Sequence, residues 1–509
     1  MRSLRLGVKS LNFRRLNKLL SSIRQNEKRN VTTPIAEMSD NERRLEQLMQ
    51  PHSVWDRVSS LTAPDSDVDV SEPDPVLLRR AFDVFVAQIG IDAWLSRRDA
   101  IAEQFQTKSI EFVGCVDAPL LAFDDTIAWY LYLCELAIAR PYELPTYYSA
   151  RVLPFLGVIG SKLRYSISVK NLDGKLRQTM TDRMREPDGY IFEVLVALSY
   201  AECGWTVEFL PEGADPTPDL RVERLGQQLL VECKRMSSRS QYAIEEEALW
   251  RRHWDEALPV LREAGQLVWL DVAVHVELVN LPSDWLQRRI MALSPLKGTE
   301  ASSSDEEATI RLRTVDRTEL DSDLAWSSVK LAGSKLRHLL GGDWVPENAI
   351  TSLSVEGKTK TSGVLPGYFA TYLDTVDWAS GATFSCDADG AIERKARDVK
   401  ATIARAVRQL PDNLPSVLHV AFETLEGPGV ETQRMKKVVS SIEGMTSMKK
   451  VIAIVLHALG PVDSKGQVMV IDETSSDFWR GPPSRDLIPL MVVLPAGYGL
   501  KSRKGAHWV

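Results

Sequence analysis

The sequence predicts an α/β (α+β) protein of more than one domain. Its 509 residues exceed what one hydrophobic core usually supports. Apolar and charged residues make up 44% and 26% of the chain, proportions that are typical of a globular protein. Helical and strand patterns alternate over residues 186–278 and again over 391–456. We therefore expect a helical N-terminal domain, a central α/β core and a C-terminal α/β extension.

The central stretch has the clearest pattern. Pro187 suits the first turn of a helix, and apolar residues follow it at helical spacing as far as Gly204. Short apolar segments separated by Gly- or Pro-containing turns predict three strands, at 205–210, 220–223 and 229–234. A helix and a strand are predicted next, at 241–264 and 266–278. The predicted order is helix, three strands, helix and strand.

Four polar residues of this stretch predict a metal site. Asp219 starts the second strand, whereas Glu232 and Lys234 lie two residues apart on the third, so their side chains share a face. Glu193 comes from the preceding helix. Carboxylates that converge raise one another's pKa unless a cation neutralises them. Oxygen-only ligands suit Mg²⁺ or Mn²⁺.

The order of these residues resembles the PD-(D/E)xK nuclease superfamily, also called the restriction-endonuclease-like fold. The Pro-Asp pair ends at Asp219, and the Glu-x-Lys triplet runs from Glu232 to Lys234. In that family the Asp and Glu hold the metal, the Lys orients or activates the attacking water, and an upstream Glu, here Glu193, supports the site. The resemblance implies an αβββαβ core over residues 187–280 with Mg²⁺ (or Mn²⁺) as cofactor.

The resemblance also implies the function, a metal-dependent endonuclease that hydrolyses phosphodiester bonds in nucleic acid, DNA rather than RNA. Analogy with the family suggests bacterial restriction or phage defence, and a homodimer for cutting two strands. A second hypothesis is a catalytically inactive nucleic-acid-binding or scaffold protein with the same fold. A third is a hydrolase of a small phosphodiester. Solvated charges on an ordinary strand are a further alternative, although Glu232 and Lys234 interrupt an apolar run.

Arginines follow the predicted catalytic strand. Arg235 is adjacent to Lys234, and Arg239 lies four residues further on. We predict that Arg235 and Arg239 contact substrate phosphates. The alternative is a solvated helix face on which the acidic residues 245–247 balance the arginines.

Charge and cysteine usage indicate the compartment and the partners. The first thirty residues contain nine Lys or Arg and one acidic residue, although the whole chain has a net charge of −7. This segment predicts a nucleic-acid-binding arm, an organelle-targeting segment, or a disordered extension before a true start at Met38. Five scattered cysteines without metal-binding spacing favour a reduced, cytoplasmic protein. No apolar stretch is long enough to span a membrane.

We predict five segments along the chain. They are a basic arm (1–38), a helical domain (39–185), the nuclease core (186–294), an insertion or variable region (295–390) and a C-terminal α/β region (391–509). Residues 299–307 are predicted to form a polar loop, and residues 387–390 a turn. The C-terminal region has helical patterns at 391–410 and 431–442 and strand patterns at 416–422 and 450–456. It forms either a second α/β layer or an extension of the nuclease sheet.

Overall fold

The computed structural model contains two mixed β-sheets with helices packed against them, which confirms the α/β class. It describes residues 74–111, 123–140, 144–182, 185–211, 217–236, 239–293, 299–327, 329–330, 334–342, 350–362, 370–396, 399–411, 414–444, 451–464, 468–479, 493–494 and 506–508. The basic arm predicted at 1–38 lies outside these residues, and so does all but the last two residues of an apolar C-terminal segment predicted at 487–494.

Helices make up nearly all of the first described region. They are α1 (Pro75–Val86), α2 (Ile91–Glu111), α3 (Thr126–Ala139), α4 (Thr146–Ala150), α5 (Leu153–Lys162) and, after the short strand β1 (Val169–Lys170), α6 (Leu172–Thr181). The helical sequence pattern of residues 76–105 is divided into α1 and α2 because Gly90 adopts a positive φ of 82°, which a continuing helix does not allow. The region is not purely helical, since β1 pairs with the first sheet.

The predicted helix and three strands of the central stretch are confirmed. They are α7 (Asp188–Glu202), β2 (Thr206–Phe209), β3 (Leu220–Arg224) and β4 (Gln227–Arg235). A two-residue turn, Leu225 and Gly226, joins β3 to β4, and both residues have positive φ as tight hairpins require. The three strands are antiparallel neighbours in the order β2-β3-β4.

The chain then leaves the first sheet and builds a second one. Its elements are α8 (Gln241–Ala264), β5 (Val268–Val274), α9 (Trp285–Leu293), β6 (Glu300–Ser304), β7 (Ala308–Thr314), α10 (Arg317–Trp326), β8 (Val329–Lys330), α11 (Ser334–Leu339), β9 (Ile350–Ser362), β10 (Ala370–Cys386) and α12 (Asp389–Lys395). We call residues 239–396 the inserted region.

The chain returns to the first sheet for its last elements. They are α13 (Lys400–Gln409), β11 (Ser416–Glu423), α14 (Pro428–Glu443), β12 (Val451–Ser464) and β13 (Val468–Trp479). The first sheet has the order β1-β2-β3-β4-β11-β12-β13, and β4 pairs in parallel with β11. The C-terminal region therefore extends the predicted nuclease sheet. The helix expected at 391–410 is in fact two, because α12 ends at Lys395 and the backbone of the next residue, Ala396, leaves helical angles.

The predicted αβββαβ order of elements is found along the chain, but its last two elements do not belong to the same core as the first four. β5 lies in the second sheet, between β7 and β10, and does not extend the sheet that contains β4. The physical reason is the apolar face of α8: Trp250, Trp254 and Leu261 pack in one cluster with β5 and β10. The predicted core of residues 186–294 thus includes parts of both sheets.

Two smaller predictions in the inserted region are also wrong. Residues 299–307 are not only a loop, since β6 pairs with β7 over five residues. Residues 387–390 are not only a turn, since α12 starts at Asp389.

Both faces of the first sheet are covered. One face, with Val222 and Val231, belongs to the large cluster that includes α1, α3, α5 and α7. The other face, with Leu230 and Leu418, packs with α13 and α14. In the described part of the chain, no helix has the length and apolar character needed to cross a membrane.

Candidate functional site

One end of the first sheet brings the four predicted residues close together. β3 begins and β4 ends there. A three-residue connection, 203–205, joins α7 to β2, so the start of α7 also lies near this end. The four side chains are also close enough to influence one another's charge. Besides burial, Asp219 raises the pKa of both Glu193 and Glu232, and Lys234 lowers both.

A backbone hydrogen bond holds Asp219 beside the third strand. The Cys233 amide donates to Asp219 Oδ2 over 2.7 Å. The register that pairs Leu220 with Val231 places Asp219 across from Glu232. The Asp219 carboxylate therefore has one oxygen bound to the backbone of β4, in the residue next to Glu232.

Glu232 is the most enclosed group of the site. Its side chain is 0% exposed, and its Oε1 forms an ion pair with the Lys234 ammonium. Its Oε2 is also buried and has no hydrogen-bond partner among the described residues. Burial, and then the nearby Asp219 charge, raises the pKa of Glu232 to about 8 although Lys234 opposes the shift. A buried, partly unsatisfied carboxyl group is costly unless a ligand or cation completes its coordination.

Lys234 stays protonated beside this carboxyl group. Burial alone would lower its pKa, but the attraction of Glu232, including their hydrogen bond, and of Asp219 raises it overall. The side chain remains 25% exposed, so its ammonium group is accessible to solvent and to a substrate.

Glu193 is paired with Lys175 of α6, a residue that was not predicted from the sequence. The two side chains form an ion pair and are 11% and 9% exposed. Burial, and then Asp219, raises the pKa of Glu193 to about 7, with Lys175 opposing the shift. Lys175 lies outside the motif and in a helix with an ordinary polar sequence, so only its burial in the structure identifies it.

The donor set fits a hard divalent cation held by two carboxylates. In the described residues, no cluster of three or more His, Cys, Asp or Glu side chains has an arrangement that could hold a metal. Mg²⁺, however, is commonly held by one or two carboxylates, with water and substrate phosphate as its other ligands. Asp219 and Glu232, whose Oε2 has no hydrogen-bond partner among the described residues, would be such a pair.

A buried hydrogen-bond chain holds α7 against the sheet. Tyr200 Oη lies 3.2 Å from His419 Nε2, and His419 Nδ1 lies 3.0 Å from His457 Nε2. His457 Nδ1 lies 2.6 Å from Glu473 Oε1. Burial, and then the neighbouring His457, lowers the pKa of His419 well below its usual value, so the His419 imidazole is neutral. The hydrogen-bond chain links the helix that contains Glu193 to β11, β12 and β13.

Arg235 and Arg239 are both engaged in ion pairs within the protein. Arg235 is 7% exposed, and its guanidinium lies 2.7 Å from Glu423 Oε1, which also binds Arg151 over 2.7 Å. Arg239 pairs with Glu426 over 2.6 Å and with Glu247. These contacts give both arginines a structural role, and their contact with phosphate remains a prediction.

A substitution of Arg235 distinguishes a structural role from a contact with substrate phosphate. We expect Arg235→Met to lower the free energy of unfolding by about 1–3 kcal/mol, because it leaves the buried Glu423 with one charged partner fewer. The exposed Arg252→Met is the control and should change stability by less than about 0.5 kcal/mol. Denaturant titration followed by tryptophan fluorescence gives both values. Unchanged stability with weaker nucleic-acid binding would instead identify Arg235 as a phosphate contact.

Comparisons of the chain with models of known protein families, with curated proteins and with solved structures found no match.

Proposed function

We propose that the protein is a metal-dependent nuclease that hydrolyses phosphodiester bonds in nucleic acid. The observation that supports this best is the meeting of Asp219, Glu232 and Lys234 at one sheet end, with a buried Glu232 oxygen that lacks a hydrogen-bond partner among the described residues. An Asp, then a Glu and, two residues later, a Lys is the order that the PD-(D/E)xK resemblance requires.

The roles of the side chains follow from their charges and positions. Asp219 and Glu232 would hold Mg²⁺ or Mn²⁺, which when bound polarises a phosphate and lowers the pKa of a water. Lys234 is protonated and partly exposed, so it can orient the attacking water and stabilise charge that develops on the phosphate. Glu193 supports the site from α7 and adds negative charge near Lys234.

The expected substrate is DNA rather than RNA, and restriction or phage defence is the setting that the family analogy favours. The inserted region contains 25 Asp or Glu and 17 Lys or Arg, so it has no overall basic character to attract a polyanion. Residues 1–30, with nine basic residues, are a better candidate for additional phosphate contacts. A homodimer would place two such sites on opposite strands.

Incubation of the purified full chain with Mg²⁺ or Mn²⁺ and a panel of polymers tests the proposal. The panel contains linear and circular duplex DNA, single-stranded DNA and RNA, and the small ester bis-p-nitrophenyl phosphate. Cleavage that EDTA abolishes is the expected result. If only the small ester is hydrolysed, the enzyme acts on small phosphodiesters.

One observation favours a second candidate, an inactive scaffold with the same fold. The Lys234 ammonium already neutralises one oxygen of Glu232 and could replace a cation there. An inactive scaffold would bind neither Mn²⁺ nor Mg²⁺ and would cut none of the polymers, and these results would reject the nuclease proposal.

The raised pKa of Glu232 predicts a pH-dependent metal affinity. Below a pKa of about 8 the metal-free protein holds a proton on this carboxyl group, and a bound cation must displace it. Affinity for Mn²⁺ should therefore fall by roughly tenfold for each pH unit below 8. Calorimetry at pH 6.5, 7.2 and 8, in buffers of different ionisation enthalpy, measures the affinity and the released proton. A flat profile with no proton release contradicts the assignment of Glu232 as a ligand.

A further inference from the structure

The geometry points to Lys175 as a positioning residue of the proposed nuclease site, one that holds the Glu193 carboxylate in place and makes the site more attractive to a phosphodiester. This inference depends on the proposed function and adds a residue to it from outside the motif.

The backbone places Lys175 at the site through a strand and a turn. β1 runs parallel to β2, so its end lies at the same end of the sheet as the end of β2. Asn171 then adopts a left-handed conformation, with φ of 63°, and its side-chain amide donates to the Phe209 carbonyl over 3.0 Å. Asn tolerates this conformation better than most residues. One turn later, α6 directs Lys175 towards α7.

The ammonium group of Lys175 is held on several sides. It contacts the Glu193 carboxylate and lies 3.8 Å from the centre of the Tyr190 ring. The Phe209 ring centre is 5.8 Å away on another side. Burying a lysine this deeply is costly unless its charge is used by a partner, and here the partner is the carboxylate that faces the site.

The charges of the site give this pair a function. Once a divalent cation has displaced the proton of Glu232, the three carboxylates, the two lysines and the cation give the site a net charge of +1. That value complements the single negative charge of a phosphodiester. Without Lys175 the cation-loaded site would be neutral, and Glu193 would lose the partner that fixes its orientation.

The test compares Lys175→Met, Lys175→Arg, Glu193→Gln and the double variant Lys175→Met/Glu193→Gln. Lys162→Met is the matched control, because Lys162 is also buried and pairs with Glu202, at the other end of α7, over 3.0 Å. Single-turnover cleavage, its dependence on substrate concentration, Mn²⁺ affinity and the thermal midpoint are measured for each protein.

We expect Lys175→Met to lower kcat/KM for cleavage by about tenfold, as is usual for residues that orient the groups around a metal site. Lys175→Arg keeps the positive charge but not the shape of the side chain, so it should recover part of the activity, and Mn²⁺ affinity should stay within about threefold of the wild-type value. In the Glu193→Gln background, Lys175→Met should lower kcat/KM by less than about twofold, because residue 193 is already neutral there. Lys162→Met should lower the thermal midpoint without slowing cleavage.

Different results overturn different claims. If the wild type cleaves, three results reject the role of Lys175 and leave the proposed function in place. These are unchanged cleavage in Lys175→Met, independent losses in the double variant, and an equal loss of cleavage in Lys162→Met. A wild-type protein that neither binds Mn²⁺ nor cleaves any polymer rejects the proposed function, and the positioning role with it.

Discussion

Asp219→Asn should abolish cleavage and metal binding together. Asparagine keeps a side-chain oxygen that can accept the Cys233 amide hydrogen bond, so β3 and β4 should stay joined. It removes, however, one of the two negative charges that would hold the cation. We expect Mn²⁺ affinity to fall by about a hundredfold or more, and cleavage with it. Calorimetric titration and single-turnover cleavage measure the two losses.

Asp188→Asn is the control for this variant. Asp188 lies at the start of α7, the helix that contains Glu193, and it binds Tyr130 over 2.8 Å and Arg151 over 3.4 Å. Loss of its charge should leave the Mn²⁺ affinity unchanged. Asp219 would have no role as a ligand if Asp219→Asn bound Mn²⁺ as tightly as Asp188→Asn does.

Lys234→Ala should separate cleavage from metal binding. The change removes a positive charge beside Glu232 and leaves both carboxylates in place, so Mn²⁺ affinity should be retained or rise. Cleavage should fall by about a hundredfold or more, because a positioned ammonium that orients the water or stabilises developing charge is lost. The measurements are the same titration and single-turnover assay.

Substrate binding completes the test of Lys234. With Ca²⁺ in place of Mg²⁺, gel-shift titration should show that the variant binds DNA within about fivefold of the wild type, since a single positive charge is lost from the site. A parallel loss of metal affinity and cleavage would mean that Lys234 maintains the fold of the site. Undiminished cleavage would remove it from the mechanism.

Sequence reasoning succeeded where the information is local. The spacing of Glu232 and Lys234 on one strand, and of Asp219 on the strand before, depends only on the period of a β-strand and on a two-residue turn. The bounds of α8 were also correct, because Ser240 caps its start and Gly265 ends it in a left-handed conformation.

Sequence reasoning failed where a partner is distant in the chain. The apolar pattern of β5 shows that it is a strand but not which strand it pairs with, and its neighbour β10 follows about a hundred residues later. For the same reason the sequence does not show that β4 pairs with β11. Lys175 was missed for a related reason, since a buried lysine has no periodic pattern and only the fold shows that it faces Glu193.

The parallel pairing of β4 with β11 also determines how the protein can fold. The 180 residues between Arg235 and Ser416 must be synthesised before β4 acquires its second neighbour. Until then one edge of β4, next to the proposed metal ligands, has unpaired backbone groups that can join other chains. Closing so long a loop is slow, and contacts this distant in sequence delay the folding of a sheet. A nascent or truncated chain that ends before β11 therefore lacks one of the two strands that flank Glu232, so we expect the proposed metal site to form only after β11 has been synthesised.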